Sequence, residues 1–397
     1  MKKHSSQEIN WFVTSILLGL PLFVIIATFF YIYHYGLGKK EIILAVTTYY
    51  LANISVGVGL HRRWSHASYK TTKWIEFLLM LLSSGTLQGP VLAWASDHKF
   101  HHAYSDTDRD PHTPLKYPNN KIKGFFWSHI GWMLVGDITA KNIDPSTMAT
   151  LGKSKMLKWQ LKNYALIATL MNTVAPLLFG WAIFAEITIQ SSLAGLFFVG
   201  IGRALQQQMT FCVNSVCHIL GSKKYANDSS RDVWWLFFLL LGENWHNFHH
   251  AFGNDYRNGH KWYHLDLHKW IIALLAKFGL AWDLVVTPEA RIQAKMQEMQ
   301  SNRKNDLQKT LEQVAILAAN LANHAREKLT AASQNFDNFS NKAREKFTEL
   351  EEAAATLASN IQALVVHSEN LTQKLVKNYK KEFKILKKMA QEIGLCV

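Results

Sequence analysis

The 397 residues carry 43 basic against 29 acidic side chains, a formal charge of +14, and combine 49% hydrophobic with only 18% charged residues. That composition, with its 14 Trp and 22 Phe, excludes a disordered or low-complexity chain and leaves room for several membrane spans. Three cysteines, Cys212, Cys217 and Cys396, show no Cys-X-X-Cys spacing, which excludes a disulfide scaffold, a zinc ribbon and a cysteine-ligated iron–sulfur cluster.

The first predicted element is residues 11–33, WFVTSILLGLPLFVIIATFFYIY, which is uncharged throughout. At about 1.5 Å per residue it can cross roughly 30 Å of hydrocarbon, and it is too long for a signal h-region and lacks a small-residue cleavage site. After a turn containing Gly36 and Gly38, residues 42–60 form a second span and close a hairpin. Residues 75–95 are also apolar, but Ser83, Ser84, Gly85, Gln88, Gly89 and Pro90 interrupt them. A fifth span here would put the histidine groups described below on opposite faces, so one partly immersed helix that does not cross is expected. Residues 164–185 and 193–213, joined by a short polar connection, form a second hairpin.

Segment 61–163 carries fourteen Lys and Arg whereas 186–192 carries none, so the positive-inside rule places the long segment and both termini in the cytoplasm, at the inner membrane if the source is bacterial. Lys39 and Lys40, in the outer turn, run against this orientation. The same bias accounts for most of the basic excess, and no nucleic-acid partner is expected. The expected fold is an all-α, multi-pass integral membrane protein with four transmembrane helices in two hairpins. A cytosolic helical cap, within a domain spanning 1–288, would hold a two-metal site.

From 289 to 397 the composition shifts to Ala, Gln, Asn, Lys and Glu. Apolar residues recur in steps of three and four from Leu307 through Ala325, and again from Phe336 to Leu364, which predicts a long amphipathic helix or coiled coil. The poor helix formers of 333–341 are where it would bend. Self-association through this tail, or adhesion to a lipid surface, are its two readings.

The chemistry lies in histidine. His98, His101 and His102, and again His246, His249 and His250, share the pattern His-X-X-His-His, which on a helix presents three imidazoles to one small volume. His61 and His66 are five apart, about 140° round an α-helix, so both reach one site only if the helix ends near His61. Asn214 and His218, four apart near the inner end of the fourth span, point the same way. Nine imidazoles, with no Cys, Asp or Glu in the clusters, suit iron, zinc or copper. Since a structural zinc needs four ligands, nine argue for two metals with open positions. In a His-X-X-His-His box the outer pair can close on one metal while the middle His turns to the other. His4, His34, His129, His260, His264, His268, His324 and His367 have no ligand spacing, and surface or hydrogen-bonding roles are expected for them.

HRRWSH (61–66), DHKFHH (97–102) with SDTDRDPH (105–112), GFFWSHIGWML (124–134), NSVCHILG (214–221) and ENWHNFHH (243–250) together resemble the membrane fatty-acid desaturase family, closest to its stearoyl-CoA delta-9 branch. The resemblance covers about residues 10–288. It implies a mushroom-shaped helical fold and two irons held by His61, His66, His98, His101, His102, His218, His246, His249 and His250, with Asn214 acting through a water. With the family as guide, His61, His66, His98, His102 and His249 would serve one iron and the remaining four the other. Gln88, Trp94 and Thr210 match positions that shape the bend of an acyl tunnel. His112 matches the segment after the second box and is expected beside the metal site or where substrate enters. Where relatives carry an Arg-Lys pair and an Arg, this chain has Gly136-Asp137 and Ser96, which leaves the carrier open between CoA and another acyl carrier.

The implied activity is O2-dependent insertion of a cis double bond, delta-9 in this branch, into a saturated acyl chain. No His-Pro-Gly-Gly haem motif and no G-X-G-X-X-G occur, so electrons would come from a separate ferredoxin or cytochrome with its NAD(P)H reductase. A hydroxylase on the same di-iron scaffold, a non-oxidative membrane zinc protein and a membrane-anchored scaffold are the alternatives. Tyr49, or Asn53 one turn closer to the metals, is a candidate floor for the tunnel; equally, Tyr49 fits an interfacial aromatic belt.

Overall fold

The computed structural model describes residues 8–135, 143–334, 341–366 and 371–395. His4, Gly136, Asp137, the expected bend with Phe336 and Phe339, His367 and Cys396 lie outside the described residues. The chain divides into two compact units, Met1–Ile292 and Gln293–Val397.

Among the described residues the first unit is mainly helical, with one short antiparallel strand pair, β1 (Lys70–Thr71) with β2 (Ala281–Trp282), and a few isolated bridges. Its principal helices are α1 (Trp11–Tyr35), α2 (Lys39–Ser65), α3 (Lys73–Gly85), α4 (Val91–Tyr104), α5 (Lys121–Phe126), α6 (Pro145–Thr150), α7 (Lys155–Phe184), α8 (Ile189–Ile219), α9 (Phe237–Leu240), α10 (His246–Ala251) and α11 (Leu267–Lys277). Three of them, α1, α2 and α7, are long and apolar enough to cross a membrane. Phe12, Phe23, Phe29 and Phe30 are exposed along α1, an arrangement that suits lipid rather than water. Tyr31 ties α1 to α2 by donating to Glu41 Oε1 (2.7 Å), while Glu41 Oε2 accepts from Gly38 N (3.1 Å) in the turn.

Helix α8 packs against α1, α2 and α7. The approach is close because small residues stand at the contacts: a Cβ on Gly202 would lie 2.3 Å from Ala45 O of α2, and one on Gly195 2.2 Å from Pro176 O of α7. Although 31 residues long, α8 carries Arg203 and Gln206–Gln208 at its middle, which lowers its hydropathy below that of the other three.

Two expectations need correction. Residues 75–95 are not one helix: α3 ends at Gly85, the chain turns through Leu87 (φ 56°) and Gly89 (φ 99°), and α4 begins after Pro90. Pro90 lacks an amide hydrogen and cannot continue α3, so it opens a new helix with its own direction. Nor does the second span end at His61, since its helix continues to Ser65 in another geometry.

The second unit takes α12 (Glu289–Gln334) from Gln293 onward, with α13 (Asn341–Val366) and α14 (Gln373–Glu392). Leu311, Val314, Ala318, Leu321 and Ala325 share one apolar core with Phe347, Leu350, Ala354, Leu357 and Ile361, as their three- and four-residue steps require. The third helix was not foreseen. Val376, Leu386 and Ala390 of α14 complete the same core, on a helix whose many lysines hide the stripe from a reading by composition.

Candidate metal centre

The C-terminal part of α2 is π-helical over eleven residues, Ser55–Ser65, with His66 N donating to His61 O at 3.1 Å. The wider turn of a π-helix, with hydrogen bonds from residue i to i+5, rotates His61 and His66 toward one side, their ring centroids 4.9 Å apart. The helix thus presents His61 from its last turn and His66 from the cap just beyond its end at Ser65. Gly57 within this run lets the ring of His268 press against the backbone.

Helix α4 supplies His98, His101 and His102, α8 supplies His218, and α10 supplies His246, His249 and His250. The structure gathers these with His61 and His66 into two adjacent groups. One holds His61, His66, His98, His102 and His249; the other holds His101, His218, His246 and His250; within each, one ring nitrogen per residue lies within 4.8 Å of the others. In each box the outer pair goes to one group and the middle His to the other. A third group, His101, Asp110 and His112, adjoins the second.

Four of the outer nitrogens have a polar partner. His61 Nδ1 lies 2.7 Å from Glu243, His101 Nδ1 3.0 Å from Asp110 and His250 Nδ1 2.7 Å from Asp228. His218 Nδ1 lies 2.7 Å from Ser229 Oγ, whose own proton goes to Asp106. Such carboxylates fix the tautomer, keeping the proton on Nδ1 and turning the Nε2 lone pair inward. Glu243 also bonds His268 Nδ1 (2.9 Å) and Arg62 Nη2 (3.1 Å), and Arg62 in turn pairs with Asp266 (3.0 Å). Burial works against the Glu243 charge, but His61 and Arg62 outweigh it and hold the carboxyl well below its usual range. Burial, reinforced by neighbouring imidazoles, holds His66, His98, His102, His246, His249 and His250 well below the ordinary histidine value, so they stay neutral.

These lone pairs cannot satisfy one another. His249 Nε2 stands 2.9 Å from both His61 Nε2 and His102 Nε2, and His246 Nε2 stands 3.0 Å from His218 Nε2 and 3.1 Å from His250 Nε2. One proton on His249 or His246 serves one neighbour, leaving the other facing a lone pair. A cation at each centre relieves both clusters, so the donor set fits metal, and by ligand type a borderline transition metal.

A cavity of about 1040 Å³ adjoins the first group. His98, His112, Trp94, Gln88, Thr210 and Asn214 line it, with Trp94 stacked on His98 at 5.0 Å. Gln88 donates to Gln206 Oε1 (3.3 Å), and Gln206 to Thr210 Oγ1 (2.7 Å). His112, its pKa pushed down to about 3 chiefly by burial, sits 4.1 Å from the His101 ring. Ser96, also on the wall, accepts from Asp144 N (2.8 Å).

Tyr49 and Asn53 do not line this cavity. Both donate to Leu239 O, at 2.5 and 2.8 Å, and so tie α2 to α9. Sequence reasoning missed Glu243, Asp228 and the partner role of Asp110, having counted no carboxylate in the clusters. Glu243 precedes His246 by three residues and was the most accessible signal. His268 is a hydrogen-bonding histidine, as expected, but it is fully buried.

The sequence model for "Fatty acid desaturase" matches residues 41–285, more than half of the chain. The protein belongs to the fatty acid desaturase family. A Schizosaccharomyces pombe protein named "Probable acyl-CoA desaturase" is 33% identical over 72% of this chain and 57% of its own length. The Arabidopsis thaliana "Delta-9 acyl-lipid desaturase 2" is 33% identical over 61% of this chain and 74% of its own. The Arabidopsis "Palmitoyl-monogalactosyldiacylglycerol delta-7 desaturase, chloroplastic" is 32% identical over 60% of each. The chain thus spans little more than half of the first of these desaturases and more of the second.

Proposed function

We propose that the protein is an O2-dependent fatty acyl desaturase that places a cis double bond in a saturated chain, at delta-9 as in the name of its Arabidopsis acyl-lipid relative. The observation that carries this reading is the position of the histidine groups, with His98 itself forming part of the wall of a largely apolar cavity. An unactivated methylene resists acid, base and nucleophile alike. Two irons, held by the nine histidines with Asn214 acting through a water, supply the oxidising power when bound.

The chain's own part is placement and exclusion. Trp94, stacked on His98, forms a flat wall against which a methylene pair can lie. The hydrogen-bonded set Gln88–Gln206–Thr210 fixes the wall between α4 and α8. Apolar residues of α1 and α8 keep water from the rest of the cavity. Glu243, Asp110, Asp228 and Ser229 hold their histidines in the ligating tautomer. Helix α8 is the fourth span, closing two hairpins with the histidines and both termini on the cytoplasmic side. Electrons come from a separate ferredoxin or cytochrome, and the chain is delivered on CoA or another carrier. Unit 293–397 serves self-association.

Expression in a host lacking desaturases, followed by mass spectrometry of its lipids, tests the reading. New monounsaturated chains support it, and hydroxylated chains or unchanged lipids beside a working control desaturase reject it.

A further inference from the structure

The described residues contain two deeply buried arginines with opposite surroundings. Arg62, 1% exposed, bonds Glu243, Asp266 and Tyr256 O. Arg203 of α8 is 3% exposed, and its Nε and Nη1 are buried without any hydrogen-bond partner. It lines the same cavity as His98 and Asn214, yet Asp97, the acidic residue on that wall, makes no ion pair with it among the described residues. Around Arg203 the wall is apolar, with Val24, Leu196 and Val199, and α1 closes over it: a Cβ on Gly200 would lie 2.9 Å from Val24 Cγ1.

A guanidinium does not give up its proton in a protein, so this charge persists away from water. A buried cation without a partner is costly to keep, and inside a membrane span it marks a ligand path. The fold pairs the charge of Arg62 with two carboxylates, although its Nε too is unpartnered, and gives Arg203 none among the described residues, so the charge of Arg203 is left to whatever enters the cavity. For an apolar cavity long enough to hold an alkyl chain, the acceptor that matches a planar fork of N–H groups is a carboxylate.

We infer that the Arg203 end of the cavity is a carboxylate-binding site, taking the carboxylate of a long-chain amphiphile whose alkyl chain lies along α8 toward Asn214 and His98. By the rise of α8, Arg203 and Asn214 are about 16 Å apart, and an extended chain advancing about 1.2 Å per bond spans this in roughly thirteen bonds. The inference deepens the desaturase reading and rests on it for what happens at the histidine end. Two sources share this chemistry: a free fatty acid entering carboxylate first, and a carrier-bound acyl chain whose far end has been oxidised to a carboxylate.

The test is equilibrium binding to the purified full-length protein in nanodiscs, with two ligand pairs: stearate against methyl stearate, and ω-carboxystearoyl-CoA against stearoyl-CoA. In one of the pairs the free carboxylate should improve affinity ten-fold or more, and Arg203→Met should reduce that preference to within two-fold. Arg203→Gln takes its place should the methionine variant not fold. Preference in the first pair identifies the carboxylate-first source, and preference in the second the oxidised chain end. No preference in either pair with the unmodified protein overturns the site, as does a preference that survives in a folded variant. Binding is read without turnover while host lipids report desaturation, so failure of either reading is distinguishable from failure of the other.

Discussion

Replacing Gly57 by Ala should damage the metal centre from a distance, through two intervening side chains. A Cβ on Gly57 would stand 2.0 Å from Cε1 and 2.2 Å from Nδ1 of His268. His268 cannot step aside freely, because it is fully buried and bonded to Glu243 at 2.9 Å. The other oxygen of Glu243 holds His61 at 2.7 Å, so displacing the ring disturbs the partner of a proposed ligand. Overpacking of this kind costs about 1–3 kcal/mol, and contact with three ring atoms puts the expected loss toward the upper end. His268→Ala alone loses a hydrogen bond to a charged group, about 1.5–3 kcal/mol, but it leaves the space that the new methyl needs. The double variant should therefore be less damaged than the sum of the two changes, with a coupling of about 1–3 kcal/mol. Denaturant unfolding of the detergent-solubilised protein, followed by Trp fluorescence, measures it, with bound metal per chain as a second reading. An equal cost of Gly57→Ala with and without His268 would refute the contact as the cause.

Glu243→Gln keeps the shape but removes the charge facing His61 and Arg62, and should weaken metal retention about 10–100-fold, read by competition with a chelator; unchanged retention would separate Glu243 from the centre. In metal-stripped protein the pH dependence has a definite sign. His66, His98, His102, His246, His249 and His250 lie well below their ordinary value when folded, so the unfolded chain binds more protons, and stability should fall as pH drops below about 6.5 toward the folded values. A melting midpoint that is flat or higher at pH 5 than at pH 8 would contradict this. A chain ending at Ile292 should still desaturate, because every proposed ligand and cavity residue precedes that point, and only its oligomeric state should change. A membrane-inserted, metal-loaded truncation without activity would show that the second unit acts in the chemistry.

The two His-X-X-His-His boxes were legible because they lie on α-helices, where the 3.6-residue repeat converts spacing directly into facing. The first box was legible only conditionally, because an α-helical wheel sets His61 and His66 about 140° apart; the chain brings them together through a π-helical run that ends at Ser65, with His66 as its cap. Nothing in a single sequence marks an eleven-residue π segment, although Ser55, Gly57 and Gly59 show that bulk is kept off that stretch. Glu243, Asp110 and Asp228 were hidden for a different reason. They sit in turns and short segments with no period, and their partners arrive from other helices. Tyr49 and Asn53 show the limit of measuring along one helix axis. Their depth could be computed from residue number, but their direction could not, and laterally they meet the carbonyl of Leu239 in α9.

Helix α8, the proposed fourth span, illustrates a further separation between hydropathy and position. Hydropathy averages all side chains of a helix, whereas a bilayer acts only on those that face it. Helix α1 turns one side to lipid and must be apolar there, as Phe12, Phe23, Phe29 and Phe30 are. Helix α8 is approached on one face by α7 at Gly195 and, seven residues on, by α2 at Gly202, and on the far side by α1 at Gly200, so much of its circumference meets protein or cavity. Arg203, Gln206 and Gln207 are buried there at 3%, 0% and 0% exposure, where lipid does not select against them. The same enclosure lets α8 carry Thr210, Asn214 and His218 in steps of four toward the metal groups. A helix that supplies polar groups to an intramembrane site must be enclosed by its neighbours, and its enclosure removes the hydropathy by which a span is recognised.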